Sequence, residues 1–157
     1  MGERVASDAD LDGTGLRIGI CCGRFNRHIT DRLLTGARSG LARHGVAEAD
    51  VTVVWAPGAY ELPLVSQHLV TGAGVDAVIA LGAVIRGETG HYDFVAGECA
   101  AGLQRVQLDT GVPVVFGVLT TDNEEQALAR SGGEEDKGLE GAETAIEMAN
   151  LVRALRP

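Results

Sequence analysis

Lysine is nearly missing from this chain. Lys137 is the single one, and the other twelve cations are arginines. No G-x-x-x-x-G-K-[ST] segment exists, which excludes a P-loop. No G-x-G-x-x-G opens a helix either, which counts against dinucleotide binding. Positive charge is scarce, with 13 Lys and Arg against 22 Asp and Glu and a formal net charge of −9. A nucleic-acid surface needs a basic stripe, and none is present. No run of about 18 apolar residues occurs, so no membrane span is expected. The first fifteen residues carry no apolar segment of the secretory kind. Cysteine occurs three times, at 21, 22 and 99, without a CxxC or a Cys/His spacing suited to zinc. Cys21 and Cys22 are neighbours in a strand-like run, so they should face opposite sides. All three are expected as buried, reduced thiols of a cytoplasmic protein.

A length of 157 residues, 45% hydrophobic and 22% charged, suits one domain with one core. Strand patterns fall at 16–22, 51–56, 77–85 and 113–119. Helical patterns fall between and after them, at 30–44, 61–71, 92–109, 123–131 and 138–155. In the first helix Leu33, Leu34, Ala37 and Leu41 share a face. Pro63 is tolerated in the first turn of the second. Strands alternating with helices imply right-handed crossovers and a parallel sheet. The expected fold is a three-layer α/β/α sandwich, flavodoxin-like, with a four-stranded parallel sheet. Residues 1–15 read as an N-terminal arm and 16–157 as a single α/β domain.

In such a sheet, ligands bind outside the carboxyl ends of the strands. Four decorated turns should therefore meet there: residues 23–30, 57–63, 82–93 and 120–125. The third is the most telling. An apolar strand stops at Ile85, glycines bracket a turn carrying Arg86 and Thr89, and His91 stands at a helix start. A helix start aims free N–H groups at an anion, and a histidine beside it moves protons near neutral pH. That is the layout of a phosphate-handling acid/base site.

Each turn also has a plain structural reading. Asn26 or Thr30 serves as a helix cap, Phe25 as a core aromatic, and Glu61 as a complement to a helix N-terminus. Thr121-Asp122-Asn123-Glu124 fits a capping box. Arg130 lies about 13 Å along or past the fourth helix, at 1.5 Å per residue, on the far side from its own chain's site. It is either a solvated cation or the completing charge of an adjacent subunit's site. Ala96, Gly97, Ala100, Ala101 and Gly102 put small residues along the third helix, for close approach either to a neighbour or to the chain's own sheet.

Taken in order, Gly23-Arg24-Phe25-Asn26 with Ile29-Thr30, Pro57-Gly58-Ala59-Tyr60-Glu61-Leu62-Pro63, residues 82–93, Gly117-Val118-Leu119-Thr120-Thr121, Glu125-Gln126-Ala127, Arg130 and Asp136-Lys137-Gly138 resemble the lumazine synthase family over about 16–151. The resemblance implies a flavodoxin-like subunit in pentamers, sometimes in sixty-subunit shells, and admits association with riboflavin synthase. It implies condensation of 5-amino-6-(D-ribitylamino)uracil with 3,4-dihydroxy-2-butanone 4-phosphate to 6,7-dimethyl-8-ribityllumazine, phosphate and water. This is the penultimate step of riboflavin biosynthesis and uses no cofactor or metal. By the same resemblance Phe25 stacks on the pyrimidine, Ala59, Tyr60 and Glu61 hold the ribityl chain, and Ala83, Val84 and Ile85 form a second wall. Glu88 and Thr89 cradle the phosphate, Arg130 clamps it, and His91 transfers protons. Phe116 and Lys137 contact the pyrimidine from the adjoining subunit. Gly90, Tyr60 and the 131–136 segment depart from the family's commoner residues. Two other readings stand beside this one: a Schiff-base lyase using Lys137, and a flavin-binding or shell protein without catalysis.

Overall fold

Strand β1 (Ile18–Gly23) is buried along its whole length, because it lies inside the sheet with helices on both faces. A strand covered on both sides reads as a continuous apolar run rather than an alternating one. A computed structural model describes residues 9–157 and carries the chain on through α1 (Arg27–Arg43), β2 (Val51–Ala56), α2 (Leu62–Thr71) and β3 (Ala77–Ile85). There follow α3 (His91–Thr110), β4 (Val114–Thr121), the short α4 (Glu124–Ala129) and α5 (Lys137–Leu155). The four strands are parallel and lie in the order β2-β1-β3-β4. This is the flavodoxin-like three-layer arrangement.

Two apolar layers flank the sheet. Ile18, Ile20, Cys22, Ile79 and Leu81 point to the layer made by α1 and α5. Cys21, Val78, Ala80 and Val118 point to the layer of α2 and α3. Cys21 and Cys22 thus face opposite ways, as neighbours on a strand must. Helix α1 turns Ile29, Leu33, Ala37 and Leu41 inward at helical spacing, and Leu34 packs at the rim. Helices α1 and α5 approach closely because glycines stand where they meet. A Cβ at Gly138 would overlap the Leu33 carbonyl oxygen, and one at Gly40 would stand 2.8 Å from the Ala142 Cβ.

Four local expectations shift. Helix α1 begins at Arg27 rather than at residue 30, because Asn26 adopts a left-handed conformation (φ 58°) that turns the chain straight from β1 into the helix. Strand β4 continues to Thr121, two residues further than its apolar run, because β3 runs on beside it to an Ile85–Thr121 pairing. The cap of α4 is Asn123, whose side chain accepts from Gln126 N at 2.9 Å, while Gln126 Oε1 accepts from Asp122 N at 2.8 Å. The expected box at 121–124 therefore moves on by two positions, since Thr121 is still strand. The small-residue stripe of α3 divides. Gly102 faces Pro63 of α2, where a Cβ would stand 2.7 Å from its Cγ, while Gly97 and Ala101 are exposed.

Ahead of β1, Gly13 N donates to His44 O at 2.8 Å, and Asn150 Nδ2 donates to the carbonyls of Asp10 and Asp12 at 2.9 and 3.0 Å. Residues 10–13 of the expected arm are thereby tied to the chain's own helices. Residues 1–8 of that arm lie outside the described residues.

Candidate active site

The chain leaves β1 toward β2 on one side, and β3 lies on the other. A crevice therefore opens where the connections diverge, beyond the strand ends. Three turns build it. Phe25 follows β1, Pro57 to Glu61 follow β2, and the end of β3 with its turn into α3 supplies Ala83 to His91. Together they line a cleft of about 630 Å³. The β1 turn is tied to β2 through Arg24 N→Ala56 O at 2.8 Å and Phe25 N→Pro57 O at 3.0 Å. It is tied to β3 through Asn26 Nδ2→Ala83 O at 2.9 Å.

The rings at the cleft are not core. Phe25 is 74% exposed, Tyr60 60% and Phe94 73%. Large aromatics left in solvent at one concavity are informative in a way that a lone surface leucine is not. Of the expected pocket residues, Phe25, Ala59, Tyr60, Glu61, Ala83, Val84, Ile85, Thr89 and His91 line this cleft together. Glu88 is in the same turn but outside the lining. Pro57, Gly58, Gly87, Tyr92, Phe94 and Val95 line it as well. Phe94 and Val95 follow His91 at three and four positions in α3, and that helical spacing is the signal that finds them.

The turn before α3 is open to an anion. Among the described residues, the backbone N–H groups of Gly87, Glu88, Thr89 and Gly90 have no acceptor within the chain. His91 N donates to Thr89 Oγ1 at 3.3 Å, which folds the turn back on the helix start. The imidazole of His91 is exposed toward the cleft. The turn's own arginine is engaged elsewhere. Arg86 Nε contacts Asp122 Oδ1 at 3.2 Å, Nη1 lies 3.7 Å from Asp93 Oδ1, and the guanidinium covers the Tyr92 ring at 4.2 Å. It braces the turn from outside the cleft lining.

Phe116, Arg130 and Lys137 do not line this cleft. They line a second groove of about 620 Å³ along the free edge of β4, with Gln104, Thr144 and Met148. Arg130 ends α4 and donates from Nη1 to Gln126 O at 3.0 Å. Lys137 opens α5, with Nζ 3.0 Å from Glu140 Oε2. The expected residues thus form two sets on one chain, lining two separate concavities.

The three thiols are enclosed. Burial pushes the Cys21 thiol up to about 11, against a hydrogen bond with Ser66 that works in the opposite sense. Burial likewise raises Cys22 and Cys99 to about 12. Protonated, enclosed thiols are poor nucleophiles. Among the described residues no group of three or more His, Cys, Asp or Glu is placed to hold a metal ion. Among them too, no helix is long and apolar enough to cross a membrane.

A doubly wound parallel sheet whose crevice joins exposed rings, a turn of free amides and a histidine defines a flavodoxin-like α/β protein with a candidate ligand site at its switch point. The family model of 6,7-dimethyl-8-ribityllumazine synthase matches residues 15–153, and the chain belongs to that family. It is accordingly an enzyme of the transferase class, in riboflavin biosynthesis.

Proposed function

We propose that the chain condenses 5-amino-6-(D-ribitylamino)uracil with 3,4-dihydroxy-2-butanone 4-phosphate, giving 6,7-dimethyl-8-ribityllumazine, inorganic phosphate and two molecules of water. The observation that carries this reading is the meeting of Phe25, the Ala83–Ile85 wall, the amide turn and His91 in one cleft. The pyrimidine ring stacks on Phe25, and its ribityl chain lies along Ala59, Tyr60 and Glu61. The phosphate sits on the amides of Glu88 and Thr89, where a helix start favours negative charge.

The chemistry needs positioning and proton movement. The pyrimidine's 5-amino group attacks the ketone carbonyl, and loss of water gives an imine between the substrates. His91 removes the proton from the adjacent carbon, the phosphate leaves, and the resulting enol becomes a ketone. The ribityl-bearing nitrogen closes the ring on that ketone with loss of the second water. Holding the two substrates together supplies much of the rate. A histidine at that carbon contributes roughly 10²–10⁴-fold as general acid and base.

The pocket is completed by a second copy. Phe116, Arg130 and Lys137 of the adjoining subunit bring the missing guanidinium, ammonium and ring to the cleft, and a pentamer is the proposed assembly. Their separation on a second groove of the same chain supports this reading. A guanidinium is the group suited to a phosphate's oxygens. The test is to incubate the purified chain with both substrates, follow lumazine absorbance, and determine the native mass. Lumazine formed by an oligomer is expected. Tight flavin binding without lumazine formation would overturn the proposal, and a monomer that is active alone would overturn the shared pocket.

A further inference from the structure

The turn from β1 to α1 is held on its two sides in different ways. Toward β2 the ties are backbone to backbone, from Arg24 and Phe25, and any residue type but proline would make them. Toward β3 the tie is the Asn26 side chain, whose Nδ2 donates to Ala83 O at 2.9 Å. Strand β1 pairs with β3 only as far as Cys22–Leu81, while β3 continues to Ile85 alongside β4. The Ala83 carbonyl therefore lies one rung beyond the end of the β1 ladder. The Asn26 amide supplies that rung where no backbone N–H reaches.

The residue gives up another task to do so. Asn26 stands at the N-cap of α1, yet its side chain caps no helix amide there. Its backbone carbonyl accepts from Ile29 N at 2.9 Å and Thr30 N at 3.2 Å. Its φ of 58° and ψ of 42° lie in the left-handed region, which suits glycine, asparagine and aspartate. Of those three, asparagine alone brings a donor to the carbonyl. Backbone conformation and cross-sheet bond together specify this side chain.

We propose that Asn26 is a positioning residue that fixes the Phe25 ring relative to the Ala83–Ile85 wall and so sets affinity for the pyrimidine substrate. The inference rests on the reaction proposed above. It bears on one substrate, because the phosphate turn is braced separately by Arg86 on Asp122 and Tyr92.

Two substitutions separate the bond from the backbone. Asn26→Gly keeps the left-handed conformation and removes the donor. Asn26→Asp keeps shape and conformation and sets a carboxylate against a carbonyl. Both are made in the full chain, and kcat, the KM for each substrate and the melting temperature are measured. Asn26→Gly should raise the KM for the pyrimidine by about tenfold, and Asn26→Asp by more, in keeping with loss of one hydrogen bond. The KM for the phosphate substrate should stay within about twofold, as a group away from that turn requires. Unchanged pyrimidine KM in both variants, or both KM values rising in step with a lowered melting temperature, would overturn the role of Asn26. Absence of lumazine from the unsubstituted chain would instead overturn the reaction on which it rests.

Discussion

The Arg86 guanidinium lies over the Tyr92 ring at 4.2 Å, joining the last residue before the amide turn to the first turn of the helix that follows it. Contacts to Asp122 and Asp93, at 3.2 and 3.7 Å, complete the brace. These groups are about half exposed or more, so the ion pairs contribute little to global stability, on the order of 0–1 kcal/mol each. Their effect is local. Arg86→Ala is expected to raise the KM for the phosphate substrate by roughly three- to tenfold with only a few degrees' change in melting temperature. Steady-state kinetics beside a thermal melt checks this, and an unchanged KM removes the brace from the account.

In the proposed reaction His91 carries the proton transfers, so His91→Ala should lower kcat by roughly 10²-fold while substrate binding persists. The measurement is kcat at saturating concentrations of both substrates. A full rate in the variant would take His91 out of the mechanism.

The three thiols should be silent in the native state. With Cys21 raised to about 11 and Cys22 and Cys99 to about 12 by burial, none is ionised at neutral pH. A disulfide-exchange reagent at pH 8 should find no reactive thiol until denaturant is added, and then all three. The sign of the pH effect follows from linkage. The folded thiols keep their protons above the unfolded value of 9.0, so their contribution is whole below pH 9 and is lost as pH rises toward 11 and 12. Fast labelling of the native chain would contradict the enclosed core.

Gly138 is fixed by its neighbour rather than by its backbone. A Cβ there overlaps the Leu33 carbonyl oxygen, and a main-chain atom cannot rotate away. Gly138→Ala should cost about 1–3 kcal/mol by pushing α5 off α1. Gly90→Ala, which meets nothing within 4 Å, is the matched control and should leave the melt little changed.

Among the described residues, the order of the strands and helices and the approximate place of each are legible from the sequence. Strands such as β3, buried on both faces, read as apolar runs, and α1 repeats its inward residues at helical spacing. The strand-end rule and the rise of a helix alone separate Arg130 from its own chain's cleft. What escapes is tertiary. Asn26 reads as a helix cap because its partner, Ala83, lies 57 positions away. The α4 cap reads two positions early because Thr121 continues β4, an extension set by pairing with Ile85 rather than by its own side chain. Phe25 reads equally as a core aromatic, although 74% of it is exposed at the cleft, because a residue's apolar character does not say what covers it.

The central claim is that one copy's His91 works with another copy's Arg130, and subunit mixing tests it most directly. His91→Ala and Arg130→Ala chains, each nearly inactive alone, are dissociated, combined in equal amounts and reassembled. Random mixing gives about a quarter of the pockets an intact histidine and an intact arginine from different chains. Lumazine formation should then return to about that fraction of the unsubstituted rate. A mixture no more active than its two components would contradict the shared pocket.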